Sequence, residues 1–329
     1  MLDRTLLESL VAEARLAPSV HNIQPTRWRP DGAGLLVLED MARRLPAADP
    51  NGHDVRLSHG AAIEGFGLAL AGRGLRIAAV AMLDGLPEEA GLRPVARLTV
   101  AAGASGDPLA AAVEPRSSWR GRFRPIDAAA QEALARLSES TDDLLLIREP
   151  EAVAPIAALA DRAGFHFLRE DDHRRELLHW LRLSRSHPDY GRDGLNAQAM
   201  ALGRVEALAA GLVLGRLFPL LDRLGLAAAL TAERGKTGSG AIGLFHRPAG
   251  EDALITGRAF YRAWLAIAAA GLAACPISVL ADWPESNRAL VGAHPLPAGR
   301  RLVNVFRLGI PISAAAGQRA RLPVGELIV

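Results

Sequence analysis

The sequence predicts an α+β protein made of two tandem halves that meet along a pair of central helices. Three observations predict it. Two Ala/Gly-rich stretches, 58–75 and 255–272, superimpose without a gap, so that Gly60 falls on Gly257, Leu68 on Leu265, and the Gly74-Leu75 stop on Gly271-Leu272. Each stretch is flanked by the same order of elements: helix, strand, helix, strand. The residues between the two sets, 103–115, are rich in Ala, Gly and Pro, the composition of a joint between units.

The elements follow in chain order. Apolar residues at helical spacing over 6–16 predict an amphipathic helix that ends before Pro18. The run Gly34-Leu35-Leu36-Val37-Leu38-Glu39 predicts a strand. The long helix over 58–75 closes in Gly-Leu, the usual punctuation of a left-handed C-cap, and 95–101 predicts the strand after it. The second set comprises a helix over 128–137, a strand over 143–148, the long helix over 255–272 and a strand over 302–308. The halves are therefore residues 1–110 and 111–329, and the second carries an extra helical block at about 174–231. Within that block lies the most apolar stretch, 207–230. Arg216, Pro219, Asp222 and Arg223 interrupt it, and a membrane span would not carry those charges cheaply. It is expected as two buried helices broken at Pro219. Small residues on the two long helices would let them pack closely, and ligand sites favour such seams.

Composition narrows the function. With 329 residues, 50% of them hydrophobic and 22% charged, the chain can bury a large core. The formal net charge is only +2, and Lys236 is the only lysine. Arginine grips phosphate in a two-point fork, although a compositional bias toward Arg, Ala, Gly and Pro is the simplest account of the excess. The basic residues are scattered and not interleaved with aromatics, so nucleic acid is not an expected partner. The single Cys275 excludes an intrachain disulfide and argues against a cysteine zinc site. Met1-Leu2-Asp3-Arg4 does not open a signal peptide, and a cytoplasmic location without membrane attachment is expected. Neither a G-x-S-x-G elbow nor an H-E-x-x-H pair is present. His21 and His59 are expected to be structural. His166, His173, His179 and His187 lack the partners of a metal site, and Glu176, Trp180 and Arg182 are expected to pack, with Arg182 a candidate for a pocket rim.

Two short segments stand out. In Ala17-Pro18-Ser19-Val20-His21-Asn22-Ile23-Gln24-Pro25, prolines at both ends stiffen a bend that carries Ser19, His21, Asn22 and Gln24. Such a bend is either an ordinary capped turn or a rigid loop presenting donors and acceptors to a ligand. In Arg116-Ser117-Ser118-Trp119-Arg120-Gly121-Arg122-Phe123, residues Arg116, Ser118 and Arg120 alternate and would share one side of an extended backbone. That strip is either a solvated basic linker or a grip for a phosphate and a polyol chain.

The first segment resembles the A-P-S-x-x-N-x-Q-P signature of the nitroreductase family. The second resembles that family's R-x-S-x-R-x-F signature, with Phe123 displaced by one residue. Asp49-Pro50-Asn51-Gly52 and Ser58-His59-Gly60-Ala61-Ala62 resemble a D-P-x-G…S-C-G-A-A stretch of its twin-domain, Acg-like branch. Arg307-Leu308-Gly309-Ile310-Pro311, with Arg319-Ala320-Arg321-Leu322-Pro323, resembles the closing pattern of the same branch. The resemblance implies a nitroreductase-like fold, two halves forming an intrachain pseudo-dimer with mixed or antiparallel sheets, and one FMN site at their seam. It implies Ser19, His21, Asn22 and Gln24 from the first half, and Arg116, Ser118 and Arg120 from the second, with Arg319 and Arg321 completing the phosphate grip. Pro276, Ile277 and Ser278 fall where the family places backbone against the flavin, so that the Ser278 N–H would face flavin N5. Trp119 would pack beside the site. The implied activity moves hydride from NAD(P)H through FMN to a nitroaromatic, quinone or similar acceptor, with no catalytic side chain and no metal, in a monomer or a homodimer.

Two departures open an alternative. The signature usually closes Q-P-W, whereas Thr26 and Arg27 precede Trp28. The family's P-I-E-G segment reads Pro276-Ile277-Ser278-Val279 here and loses positions that shape the nicotinamide pocket. A protein that stores or sequesters FMN with little turnover is therefore the second reading. The extra helical block could fold over the flavin as a cover.

Overall fold

The computed structural model describes residues 2–32, 34–103, 106–313 and 319–329. The first helix, α1 (Arg4–Ala14), is capped by the Asp3 carboxylate, which accepts from Leu6 N at 2.8 Å, and it buries Leu7, Leu10, Val11 and Ala14. A 3-10 turn at Val20–Asn22 leads to β1 (Thr26–Asp31) and β2 (Gly34–Asp40). The long α2 (His53–Ala71) is followed by β3 (Leu75–Met82) and β4 (Leu92–Ala102). A 3-10 turn at Pro108–Ala112 ends this first set.

The second set opens with α3 (Ala128–Ser140) and β5 (Leu144–Ile147). A helical block follows: α4 (Pro150–Arg169), α5 (Asp171–Trp180), the short β6 (Leu181–Arg182) and β7 (Leu195–Asn196), then α6 (Arg204–Leu214), α7 (Phe218–Arg223), α8 (Ala227–Thr231) and α9 (Arg234–Thr237). The set resumes with β8 (Ala241–Pro248), the long α10 (Ala253–Ala269), β9 (Ala273–Pro276), α11 (Val279–Asp282), α12 (Pro284–Ala293) and β10 (Arg300–Gly309). It ends in α13 (Val324–Leu327).

The two main sheets share one topology. Their strand orders are β1-β2-β4-β3 and β5-β8-β10-β9, and every neighbouring pair is antiparallel. The matched helix and strand order expected from the sequence is therefore present, with four strands per sheet rather than two. Where two residues of sequence separate β1 from β2 in the first sheet, the second admits the whole of α4 to α9 between β5 and β8. The block is wider than 174–231.

The central helices cross at glycine. A Cβ on Gly60 would lie 2.0 Å from the Leu254 carbonyl oxygen, and one on Gly257 would lie 2.1 Å from that of Leu57. The contact is reciprocal, as contacts across a twofold axis are. Leu254, from α10, is fully buried in the first sheet's core with Leu7, Trp28 and Phe66. Leu57, from α2, enters the second sheet's core with Phe245 and Phe306. Each half thus fills a place in the other's interior, and burying each leucine is worth about 1.5–3 kcal/mol.

The chain after β10 returns to the first sheet. Leu322 and Leu327 join its core, Val329 N donates to Trp28 O at 2.9 Å, and Ile328 bridges Trp28 in parallel.

The stretch 207–230 corrects the expectation of buried helices. It forms the short α6, α7 and α8, and Leu208, Leu212, Leu220, Leu224 and Leu230 are exposed. Only Ala207, Phe218 and Ala227 are buried on these three helices. The apolar residues encircle the helices, whereas the body of the protein covers one side. Among the described residues, no helix is long and apolar enough to cross a membrane.

Candidate functional site

The bend after α1 is held under backbone strain. His21, Asn22 and Gln24 have φ of 43°, 55° and 51°, a left-handed conformation that L-residues adopt rarely. Strained backbone persists only where surroundings over-determine it, and here they do. Ser19 Oγ accepts from Gln24 N at 3.0 Å, and Ser58 Oγ on α2 accepts from Val20 N at 3.0 Å. Asn22 Nδ2 donates to Gly194 O at 3.0 Å and Ala320 O at 3.1 Å. Gln24 Nε2 donates to Arg192 O at 2.8 Å, while its Oε1 accepts from Leu322 N at 2.9 Å. The loop is rigid, as the two prolines suggest. Its amide side chains, however, engage a strap around 191–202 and the returning C-terminal segment. Asp193 anchors that strap through Arg182 at 2.8 Å and Arg43 at 2.9 Å, which makes Arg182 a structural tie rather than a pocket rim.

The arginine strip lies against the same loop. Arg116 is buried, its guanidinium 4.6 Å from the Trp264 ring centroid on α10, and its Nη2 donates to Leu16 O at 2.9 Å. Ser118 bridges Ala274 of β9 in parallel, so the strip extends the second sheet's edge. Trp119 packs beside it, with Nε1 donating to Arg122 O at 3.0 Å. Arg120 Nη1 donates to Ala199 O at 3.2 Å, at the strap. From β10, Arg307 fixes the strip by donating to Trp119 O at 2.9 Å and Gly121 O at 2.8 Å.

The returning segment adds two more guanidinium groups. Arg321 donates to Arg15 O at 2.6 Å, Asn22 Oδ1 at 3.0 Å and Leu16 O at 3.1 Å. Arg319 donates to the carbonyls of Val113, Glu114 and Arg116. Arg116, Arg319 and Arg321 therefore gather at the seam between loop and strip. Burial, then repulsion from Arg116 and Arg319, lowers the pKa of Arg321. Burial also lowers that of Arg116, which Tyr261 opposes and Arg319 reinforces. Among the described residues neither Arg116 nor Arg321 pairs with a carboxylate, and the nearest acid to Arg319 is the exposed Glu114 at 3.9 Å. Arg15 Nε, Arg116 Nε, Arg319 Nη1 and Tyr261 Oη are buried without a hydrogen-bond partner. Buried polar groups are ordinarily satisfied, and buried charge ordinarily paired. A multi-acceptor anion such as a phosphate fits this donor set.

The third predicted segment follows on from β9. Ile277 N donates to Val305 O at 2.6 Å, and Ser278 occupies the N-cap position of α11 without a side-chain capping bond. No acceptor for the Ser278 N–H is found among the described residues. Burial pushes Asp282, one turn beyond, up to about 6, against the Ser278 hydroxyl and with help from Asp49. Burial and the facing Asp282 raise Asp54 on α2 as well, which places this segment beside the start of α2.

His59 is structural, as expected: its Nδ1 meets Thr26 Oγ1 at 2.9 Å and its Nε2 lies 3.8 Å from Glu39. No cluster of candidate metal ligands occurs among the described residues. Sequence reasoning missed Arg15, Tyr261, Trp264 and the strap. Arg15 stands two residues before the Ala17-Pro18-Ser19 motif, a position that carries a usable signal. Tyr261 and Trp264 read as ordinary core residues of a long helix.

No protein-family model matches the chain. It is 24% identical over 178 residues to two Mycobacterium tuberculosis proteins, from strains CDC 1551 / Oshkosh and ATCC 25618 / H37Rv, each described as "Putative NAD(P)H nitroreductase". The chain is similar to the nitroreductases. The match covers 54% of this chain and 52% of each relative, so the chain spans about half the length of the curated relatives it matches. Solved structures with related coordinates include the FMN-dependent nitroreductase NfnB of Mycobacterium smegmatis in complex with NADPH, at 18% identity and a TM-score of 0.35 over 67% of this chain and 93% of that one. A BluB-like flavoprotein from Clostridium difficile 630 has 13% identity and a TM-score of 0.38 over 68% and 99%. The nitroreductase resemblance carried by the sequence motifs agrees with the curated relatives.

Proposed function

We propose that this nitroreductase-like chain is an FMN-dependent oxidoreductase that takes hydride from NAD(P)H and passes it to a nitroaromatic, quinone or similar acceptor. The observation that carries the reading is the buried cluster of Arg116, Arg319 and Arg321, which lacks paired carboxylates and keeps unsatisfied donors. Those residues, with Arg15, would hold the phosphate. Ser118 and Arg120 would line the polyol chain, and the loop of Ser19, His21, Asn22 and Gln24 would wall the ring system. The free N–H of Ser278 would face flavin N5, with Pro276 and Ile277 setting its position. Bound FMN supplies a two-electron hydride acceptor and donor. The protein's task is to fix its orientation and keep the reacting atoms about 3–3.5 Å apart. On this reading residues 1–110 and 111–329 are two nitroreductase-like units, paired within one chain.

A second reading is FMN storage with little turnover. Two features favour it: Pro276-Ile277-Ser278-Val279 lacks the acidic and glycine positions of the family, and the 191–202 strap ties down the loop amides. One experiment separates the two readings. The purified protein is loaded with FMN, its yellow absorption recorded, and NADH or NADPH mixed in by stopped flow. Bleaching within seconds supports the oxidoreductase. A spectrum that persists for minutes, yet bleaches with dithionite, supports storage. A colourless protein that fails to take up FMN defeats both.

A further inference from the structure

A second cleft, of about 610 Å³, lies between α3 and α10. That volume falls in the range of small-molecule pockets. Its floor is the side of α10 that carries Ala259, Ala263, Ala266 and Ala270; the last three are largely covered by the second sheet's core, and Ala259, Ala269 and Leu109 supply the open apolar wall.

Its place in the fold is not arbitrary. A small cavity beside the strained loop is lined by Arg15 and Ser19, at and beyond the end of α1, and by Ala62 of α2. The larger cleft is lined by Arg136, Ser140 and Thr141, at the end of α3, and by Ala259 of α10. In the gapless superposition of the two long helices, Ala259 is the counterpart of Ala62. The cleft is thus the internal counterpart of the loop cavity, without the flavin motifs.

The charges at its rim fix the sign of a ligand. Asp143 accepts from Arg247 at 2.5 Å and Arg300 at 2.8 Å, and Glu251 also binds Arg247. Arg262 reaches Glu64 and Asp107, each at 2.8 Å, through Nη1 alone. Arg136 donates once, from Nη2 to Ala270 O at 3.2 Å, and has no carboxylate partner among the described residues. Each carboxylate at the rim is neutralised, and the surplus group is a guanidinium with most of its five donors free. Thr141 Oγ1 accepts from Asp143 N at 3.2 Å and keeps its own proton for donation.

We propose that this cleft binds a planar aromatic carboxylate, its ring on the alanine wall of α10 and its carboxylate on Arg136 and Thr141. The proposal is independent of the flavin reading. The test titrates the full chain with 2-naphthoate and with the neutral isostere 2-naphthol, followed calorimetrically, with FMN uptake measured alongside. Naphthoate should saturate one site and bind at least roughly tenfold more tightly than naphthol, as a charge-assisted hydrogen bond implies. Arg136→Gln should erase that preference, and Ala266→Trp should abolish binding of both compounds. Ala269→Trp, at an exposed position on the same wall, serves if Ala266→Trp does not fold. FMN uptake should be the same in every variant. Equal affinity for the two compounds, binding unaffected by tryptophan on α10, or no saturable binding at millimolar naphthoate would each overturn the proposal.

Discussion

The two clefts that flank the central helices treat the same residue type in opposite ways. At the α3–α10 cleft, Arg247, Arg300 and Arg262 rest on Asp143, Glu251, Glu64 and Asp107. At the seam beside the strained loop, Arg116, Arg319 and Arg321 crowd together and are solvated by the carbonyls of Leu16, Arg15 and Glu114. Carbonyl dipoles orient a guanidinium but do not cancel its charge. Arginines that carry their own counterions support the fold, whereas arginines supplied only with dipoles leave room for an anion from outside. At the α3–α10 cleft Arg136 alone lacks a carboxylate partner among the described residues, whereas at the strained loop none of the three guanidinium groups has a close one.

The comparison breaks altogether if the helix crossing is opened. Gly257→Val places a branched side chain where even a Cβ would approach Leu57 O to 2.1 Å. Urea unfolding should show a loss of about 3 kcal/mol or more, and FMN uptake should fall with it. An unchanged midpoint would mean that the crossing is not tight.

Two matched substitutions sharpen the contrast. Arg247→Met removes the partner of Asp143 and Glu251, and should lower stability by about 1–3 kcal/mol while leaving FMN affinity intact. Arg116→Met should do the reverse: little change in the stability of the flavin-free protein, and FMN affinity weaker by roughly tenfold or more. If the two variants lose equal stability, the seam arginines are structural and the distinction fails. Arg120→Ala should weaken FMN retention too, by about 1.5–3 kcal/mol at most, because within the protein Arg120 donates to the Ala199 carbonyl.

The smallest effect concerns pH. Burial first, then His173 and Arg120, lowers the His21 pKa from 6.5 to about 4. The folded state therefore binds fewer protons than the unfolded chain between those values. The stability held by neutral His21 is complete above pH 6.5 and diminishes as pH falls toward 4. His21→Asn, which tolerates the left-handed backbone, should flatten the fall in urea midpoint over that interval. A fall as steep as in the parent protein would remove His21 as its cause.

Much of this arrangement was legible in the sequence. Gly60 and Gly257 were matched as counterparts, and they meet at the crossing. The loop at Ser19 and the strip at Arg116 were matched to one site, and Arg116 reaches Leu16 beside that loop. Half of the strands in the two four-stranded sheets were not legible. β1 reads Thr-Arg-Trp-Arg-Pro-Asp, a polar edge strand ending near a proline, and β8 is covered on both faces and shows no alternation. The leucines of α6 to α8 are exposed rather than buried, because periodicity reports an apolar face without saying what lies against it. The strap around 191–202 carries no local pattern, and only the fold brings Gly194 to Asn22.

The return of the chain from β10 to the first sheet orders events in time. Arg319 and Arg321 follow both sheets in the chain, yet they act beside α1. A nascent polypeptide can complete each sheet and still lack Arg319 and Arg321, which come only a few residues before Ile328 and Val329, the pair that joins Trp28. On the proposed reading, a phosphate-bearing cofactor would meet its full set of guanidinium donors only once the chain has passed residue 321 and returned to α1.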